Sequence, residues 1–77
     1  MKNVIIYSTP TCVYCKMAKE YFAKNNITYE DKNVAINDKA REEMRLKSSQ
    51  LGVPVIEIDG EIIIGFDRRK IDNLLLL

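Results

Sequence analysis

The 77-residue sequence predicts one α/β domain in the order β-α-β-α-β-β-α, a four-stranded mixed sheet with helices on both faces. Three observations lead there. A continuous apolar run at Val4-Ile5-Ile6-Tyr7 is followed at once by a segment of helical period. A second pair of β-like and helix-like segments follows before residue 52, the pattern of strands joined by crossover helices. Then two apolar runs flank Asp59-Gly60, a dipeptide suited to the left-handed turn of a tight antiparallel hairpin.

Each element has its own warrant. Val4 to Tyr7, closed by Ser8, Thr9 and Pro10, is apolar at every position, as expected of a central strand covered on both faces. Thr11 or Cys12 opens the first helix, where Tyr14, Met17, Ala18, Tyr21 and Phe22 recur at spacings of three and four until Asn25-Asn26 ends it. Lys16, Lys19, Glu20 and Lys24 form its polar face. Residues 27–34 are β-like with weaker alternation, which suits a strand nearer an edge. Asn37 or Asp38 caps a second helix running to about Leu51, with Ala40, Met44 and Leu51 inward and Gly52 as the stop. Residues 53–58 and 61–64 are the hairpin strands. Asp67 caps a last helix from Arg68 to Leu77, in which Ile71, Leu74 and Leu75 make one apolar stripe. The tail Leu74 to Leu77 is apolar on all sides, more than one packed face needs, and the surplus reads as chain-end packing or a small docking patch.

Composition narrows the function. A chain this short holds one core, because it buries only about 60% of its unfolded surface. With 47% hydrophobic residues, three Gly and two Pro, it has the makeup of a compact fold. Twelve Lys+Arg against eleven Asp+Glu leave a net charge of +1, so no overall field draws it to nucleic acid or acidic membranes. The N-terminus MKNVIIYSTP has neither a cleavage site nor a long apolar segment, so a secretory leader or membrane span is not expected there. Two closely spaced cysteines close too short a loop to staple a secreted domain, and a reducing cytoplasm is the expected location.

Both cysteines stand in STPTCVYCKM, where a strand turns into a helix. A first-turn position faces unpaired backbone N–H groups and the positive end of the helix dipole, which favour the charged, nucleophilic thiolate at Cys12. Cys15, one turn on, is more shielded and close enough to attack a disulfide formed on Cys12. Lys16 and Lys19 could add positive potential, or be solvated helix charges. A structural zinc site is disfavoured, because such sites take four Cys or His ligands and the chain has two Cys and no His. A purely structural disulfide is disfavoured by the short loop and the reducing compartment. A dithiol redox pair beside a β-α-β pattern remains.

Three separated stretches, YSTPTCVYCKMAKEYF, LGVPVIEIDG and IIIGFDRRKID, together resemble the glutaredoxins and glutaredoxin-like proteins of dithiol type, over nearly the whole chain and in the right order. The resemblance implies a thioredoxin fold and thiol-disulfide oxidoreductase activity on protein disulfides or mixed disulfides, carried by Cys12 and Cys15. It implies a cis bond at Val53-Pro54 facing the cysteines, with the Val53 backbone open to an extended substrate strand; a strand-start proline in trans is the plainer alternative. It extends the site to Tyr14, Gly65, Phe66 and Asp67. No metal or tightly bound cofactor is implied, and the expected state is a monomer. Disulfide-containing proteins are the implied substrates, and glutathione or a flavoprotein thioredoxin reductase the electron donor. Two positions depart from the glutathione-using pattern: Thr9 stands where a cation is common, and Arg68 where an acidic residue is. The alternative within the family is a dimeric carrier of an iron-sulfur cluster held by Cys12 and glutathione.

Overall fold

The computed structural model describes residues 2–77, in the element order β1 (Val4–Ser8), α1 (Val13–Lys24), β2 (Glu30–Asn33), α2 (Asp38–Ser48), β3 (Val55–Ile58), β4 (Glu61–Ile64) and α3 (Arg68–Leu75). The four strands form one sheet in the order β2-β1-β3-β4. β1 runs parallel to β2 and antiparallel to β3, and β3 pairs antiparallel with β4. The sheet is therefore mixed, as the change of connection type along the chain predicts.

The uninterrupted apolar run of β1 is explained by its place between two covered faces. Successive strand residues point to opposite sides of the sheet. Val4 and Ile6 enter a core with Ala18 and Phe22 of α1, Ile56 and Ile58 of β3, Ile63 of β4 and Ile71 of α3. Ile5 and Tyr7 enter the other, with Val34 just after β2, Ala40 and Met44 of α2, and Val55 of β3. One face thus carries α1 and α3 and the other α2. Each fully buried Leu, Ile, Val, Phe or Met contributes about 1.5–3 kcal/mol of transfer free energy, so both layers hold the sheet.

The caps and turns follow the sequence closely. Asn37 takes the N-cap of α2, its side chain accepting the Ala40 N–H at 3.0 Å. Asp67 takes that of α3, accepting the Lys70 N–H at 3.2 Å. Asp59 and Gly60 both have positive φ, 48° and 89°, the conformation that matches a two-residue hairpin turn to the strand twist.

The differences cluster at element ends. α2 stops at Ser48, capped by Ser49 in the left-handed region at φ 62°, and not at Gly52. Leu51, expected inward, is consequently beyond the helix and 60% exposed. The Ser48 hydroxyl donates to the Met44 carbonyl and also receives the Gln50 N–H, a local bonding pattern that competes with continued helix. β2 is an edge strand as expected but begins at Glu30, although Ile27 and Tyr29 still pack on the core. β3 begins at Val55, leaving Val53 and Pro54 in the loop before it. α3 ends at Leu75, with Leu76 left-handed at φ 61°; Leu74 and Leu75 pack on the core while Leu76 and Leu77 are exposed.

α1 shows the most consequential difference. Its predicted apolar face spans too wide an arc to fit against one sheet. Cys15, Ala18 and Phe22 turn inward, whereas Tyr14 and Met17 lie on the surface at 63% and 44% exposure.

Candidate active site

Cys12 is the N-cap of α1, in extended backbone at φ −88° and ψ 115°. Capping positions need a side chain that can accept a backbone N–H, a task usually given to Ser, Thr, Asp or Asn. Here a sulfur performs it: Cys12 Sγ accepts the Cys15 N–H at 3.1 Å. The same bond fixes the sulfur over the first turn of the helix, where N–H dipoles favour negative charge. Cys12 is half-buried and Cys15 is buried, 1% exposed, and both are free thiols.

The two sulfurs therefore occupy different environments. Burial pushes the Cys15 thiol up to about 12 from an ordinary 9.0, the Cys12 side chain adds to that, and the Thr9 backbone and the Lys19 charge oppose it. Cys15 at neutral pH is a protonated thiol in a dry environment. Lys19, four residues further along α1, is held by Asp31 of β2 at 2.7 Å, and Asp31 also receives the hydroxyl proton of the buried Ser8 at 2.6 Å. The Lys19 charge acts on Cys15, and Lys16 is exposed and enters no ion pair among the described residues.

The loop before β3 supplies the facing wall. The Val53-Pro54 peptide bond is cis, the Val53 carbonyl lies 3.9 Å from Cys12 Sγ, and Pro54 is buried. Gly65, just past β4, donates its N–H to the Pro54 carbonyl at 2.9 Å. Its φ of 79° lies where a Cβ is strained, which is the reason for glycine here, since an added Cβ would meet no atom within 4 Å. Cys12, Cys15, Val53, Pro54 and Gly65 are thus brought to one rim. Phe66 leads away from it, its ring edge-on to Tyr21 with centroids 5.8 Å apart. Asp67 is occupied as the cap of α3, and Tyr14 stands out from the first turn of α1 into solvent.

Ser8, Asp31 and Tyr21 were beyond sequence reasoning as site neighbours, and for Arg68 so was its stacking on Tyr21. Arg68 lies over the Tyr21 ring at 4.8 Å, and the Tyr21 hydroxyl donates to Asp72. These contacts join elements far apart in the chain, and only the buried Ser8 after an apolar run gave a local hint.

A half-buried sulfur at a helix tip with a second sulfur one turn behind it, opposite a cis-proline loop, is an arrangement suited to thiol-disulfide exchange. The Glutaredoxin family pattern matches residues 4–63. A glutaredoxin-like 8.6 kDa protein of the rubredoxin operon of Clostridium pasteurianum is 59% identical over 70 residues, covering 91% of this chain and 93% of that protein. Glutaredoxin 3 of Escherichia coli strain K12 is 37% identical over 67 residues, covering 87% and 81%. Among solved structures, a thioredoxin-like protein superimposes with a TM-score of 0.87 at 30% identity, over 94% of this chain and 99% of that one. The glutaredoxin of Archaeoglobus fulgidus, 22% identical, shares the fold with a TM-score of 0.86 over 97% and 87%. The chain therefore has the thioredoxin-like fold and belongs to the glutaredoxin family of thiol-disulfide oxidoreductases.

Proposed function

We propose that residues 1–77 act as one domain, as a monomer in the cytoplasm, reducing disulfides of proteins or mixed disulfides through Cys12 and Cys15. The Cys12 thiolate attacks one sulfur of the substrate disulfide, forms a mixed disulfide and expels the other sulfur as a thiolate. Cys15 then gives up its proton and attacks Cys12 Sγ. The bond to the substrate breaks, the substrate leaves as its second thiolate, and a Cys12–Cys15 disulfide remains. Two electrons have passed to the substrate, and an external thiol or dithiol must return them.

The asymmetry of the two sulfurs carries this reading. Cys12 is accessible and receives an N–H, while Cys15 is buried and held as a neutral thiol. A nucleophile must be reachable; a resolving thiol must wait until the mixed disulfide has formed. Val53, Pro54, Gly65 and Phe66 form the substrate wall in this scheme, with Tyr14 and Asp67 at its ends. No metal or tightly bound cofactor enters it.

For the reductant, the reading leans away from glutathione, because Thr9 offers no cation beside Cys12 for a glutathione carboxylate. Supplying the oxidised protein with glutathione plus its reductase, or with a flavoprotein thioredoxin reductase, both driven by NADPH, tests the lean. The expected outcome is faster NADPH use with the thioredoxin reductase. Trapping tests the chemistry: Cys15→Ser accumulates a covalent adduct with a disulfide peptide, and Cys12→Ser forms none. An adduct through Cys15 in the Cys12→Ser protein would reverse the assigned roles.

A further inference from the structure

α1 carries an apolar stripe that the core uses only in part, through Tyr21. Tyr14, Met17, Tyr21 and Lys24 follow one another at helical spacings of three and four, so they form a single line down the helix from the cysteine turn. Tyr14 and Met17 are largely exposed, although packing on the sheet is the usual fate of such residues. Across from them, Phe66 and Arg68 close a shallow groove of about 230 Å³ with Met17, Tyr21 and Lys24. Phe66 directly follows Gly65, whose N–H is bonded to the Pro54 carbonyl, so the chain that forms the cysteine rim runs on into one wall of this groove.

Two cations without an ion-pair partner among the described residues, Lys24 and Arg68, line the groove. Arg68 also stands in the first turn of α3, where there is no acidic residue and the helix dipole disfavours a cation. Its guanidinium is pre-set over the Tyr21 ring, 4.8 Å from the centroid, which leaves its planar fork available to a carboxylate. Of the carboxylates nearby, Asp72 receives the Tyr21 hydroxyl and Asp67 caps α3. Glu20 also lines the groove and offsets part of its charge.

Length selects the occupant. α1 has 12 residues beyond Cys12 up to Lys24, and at about 1.5 Å per residue they span roughly 18 Å. An extended chain covers that in about five residues. A small thiol bound at Cys12 does not reach Lys24, whereas a polypeptide does. Accepting the disulfide reductase reading above, the geometry points to a specificity groove for an extended protein segment that carries an apolar side chain and, about five residues from its disulfide cysteine, a carboxylate for Arg68 and Lys24.

The test uses the fully reduced protein in single turnover, so that no reductase is needed. Disulfide peptides carry a glutamate pair about five residues before or after the cysteine, a lysine pair in the same places, or glutamates adjacent to the cysteine. One distal-glutamate peptide should react about tenfold faster than its lysine counterpart at low ionic strength, with the gap closing at high salt. Lys24→Glu and, separately, Arg68→Glu should each shrink that preference and leave reduction of neutral hydroxyethyl disulfide unchanged. Equal rates for all peptides, an equal gain from adjacent glutamates, or a preference that survives both variants would overturn the groove. A dimer abolished by Met17→Glu would assign the stripe to a second copy and overturn it as well. Failure of the unmodified protein to reduce hydroxyethyl disulfide would instead remove the reductase reading beneath it.

Discussion

Replacing Cys15 by serine removes the most strongly perturbed thiol in the molecule, and the size of its effect follows from burial. Cys15 is 1% exposed, and its pKa is pushed up to about 12 from 9.0, first by burial and then by the adjacent Cys12. Because the folded value lies above the unfolded one, the neutral thiol favours folding below pH 9.0, and that contribution is lost as pH rises through about 12. At about pH 10.5 the unfolded chain has already given up the proton, and the difference amounts to ~2 kcal/mol of lost stability. Urea denaturation of reduced wild type and Cys15→Ser at about pH 8 and about pH 10.5 reads the contribution of the cysteine pair, since the titrating groups outside that pair are common to both proteins. Wild type should lose ~2 kcal/mol more than the variant between those values. In parallel, alkylation near pH 7.5 followed by mass analysis should modify Cys12 and spare Cys15, because a thiol is attacked through its thiolate. Parallel alkaline losses in the two proteins, or alkylation of both cysteines at similar rates, would refute the picture of a buried, protonated resolving thiol.

Two further predictions concern the scaffold. Glu43 accepts the Lys32 ammonium and the Tyr7 hydroxyl, which with Lys47 nearby hold its carboxyl at about 2 against an ordinary 4.5. The stability this gives is present above pH 4.5 and is lost as pH falls through about 2. The side chain is 33% exposed, so after solvent screening Glu43→Gln should cost ~1 kcal/mol at neutral pH and almost nothing near pH 2, read by urea denaturation at both values. Phe22 is fully buried between α1 and the sheet and tilts against Tyr29 with centroids 5.6 Å apart. Phe22→Ala should cost about 3–5 kcal/mol in the same measurement, and a loss under ~1 kcal/mol would mean that this core closes around the cavity.

The sequence was most legible where a local rule acts alone. The Asp59-Gly60 turn, the Asn37 and Asp67 caps and the central position of β1 each follow from a few neighbouring residues, and each is present. The cis bond at Val53-Pro54, implied by resemblance, is present too. Reading failed where several residues compete for one role. Gly52 is a good helix stop, yet Ser48 and Ser49 end α2 first through hydroxyl bonding and a left-handed cap. Tyr14 and Met17 carry the apolar signal of a core position, yet the sheet has room for only one narrow stripe of α1, which Cys15, Ala18 and Phe22 fill.

By itself the sequence determined the order of elements, the hairpin, and a pair of cysteines at the mouth of a helix, because periodicity, turn chemistry and spacing act over a few residues. Tertiary structure decided which sulfur is shielded, that Lys19 is tied to Asp31 of β2, and that Phe66 and Arg68 come to lie against Tyr21. Those outcomes depend on which surfaces of α1, β2 and α3 meet across the sheet, and burial and charge at a sulfur are set by neighbours distant in the chain.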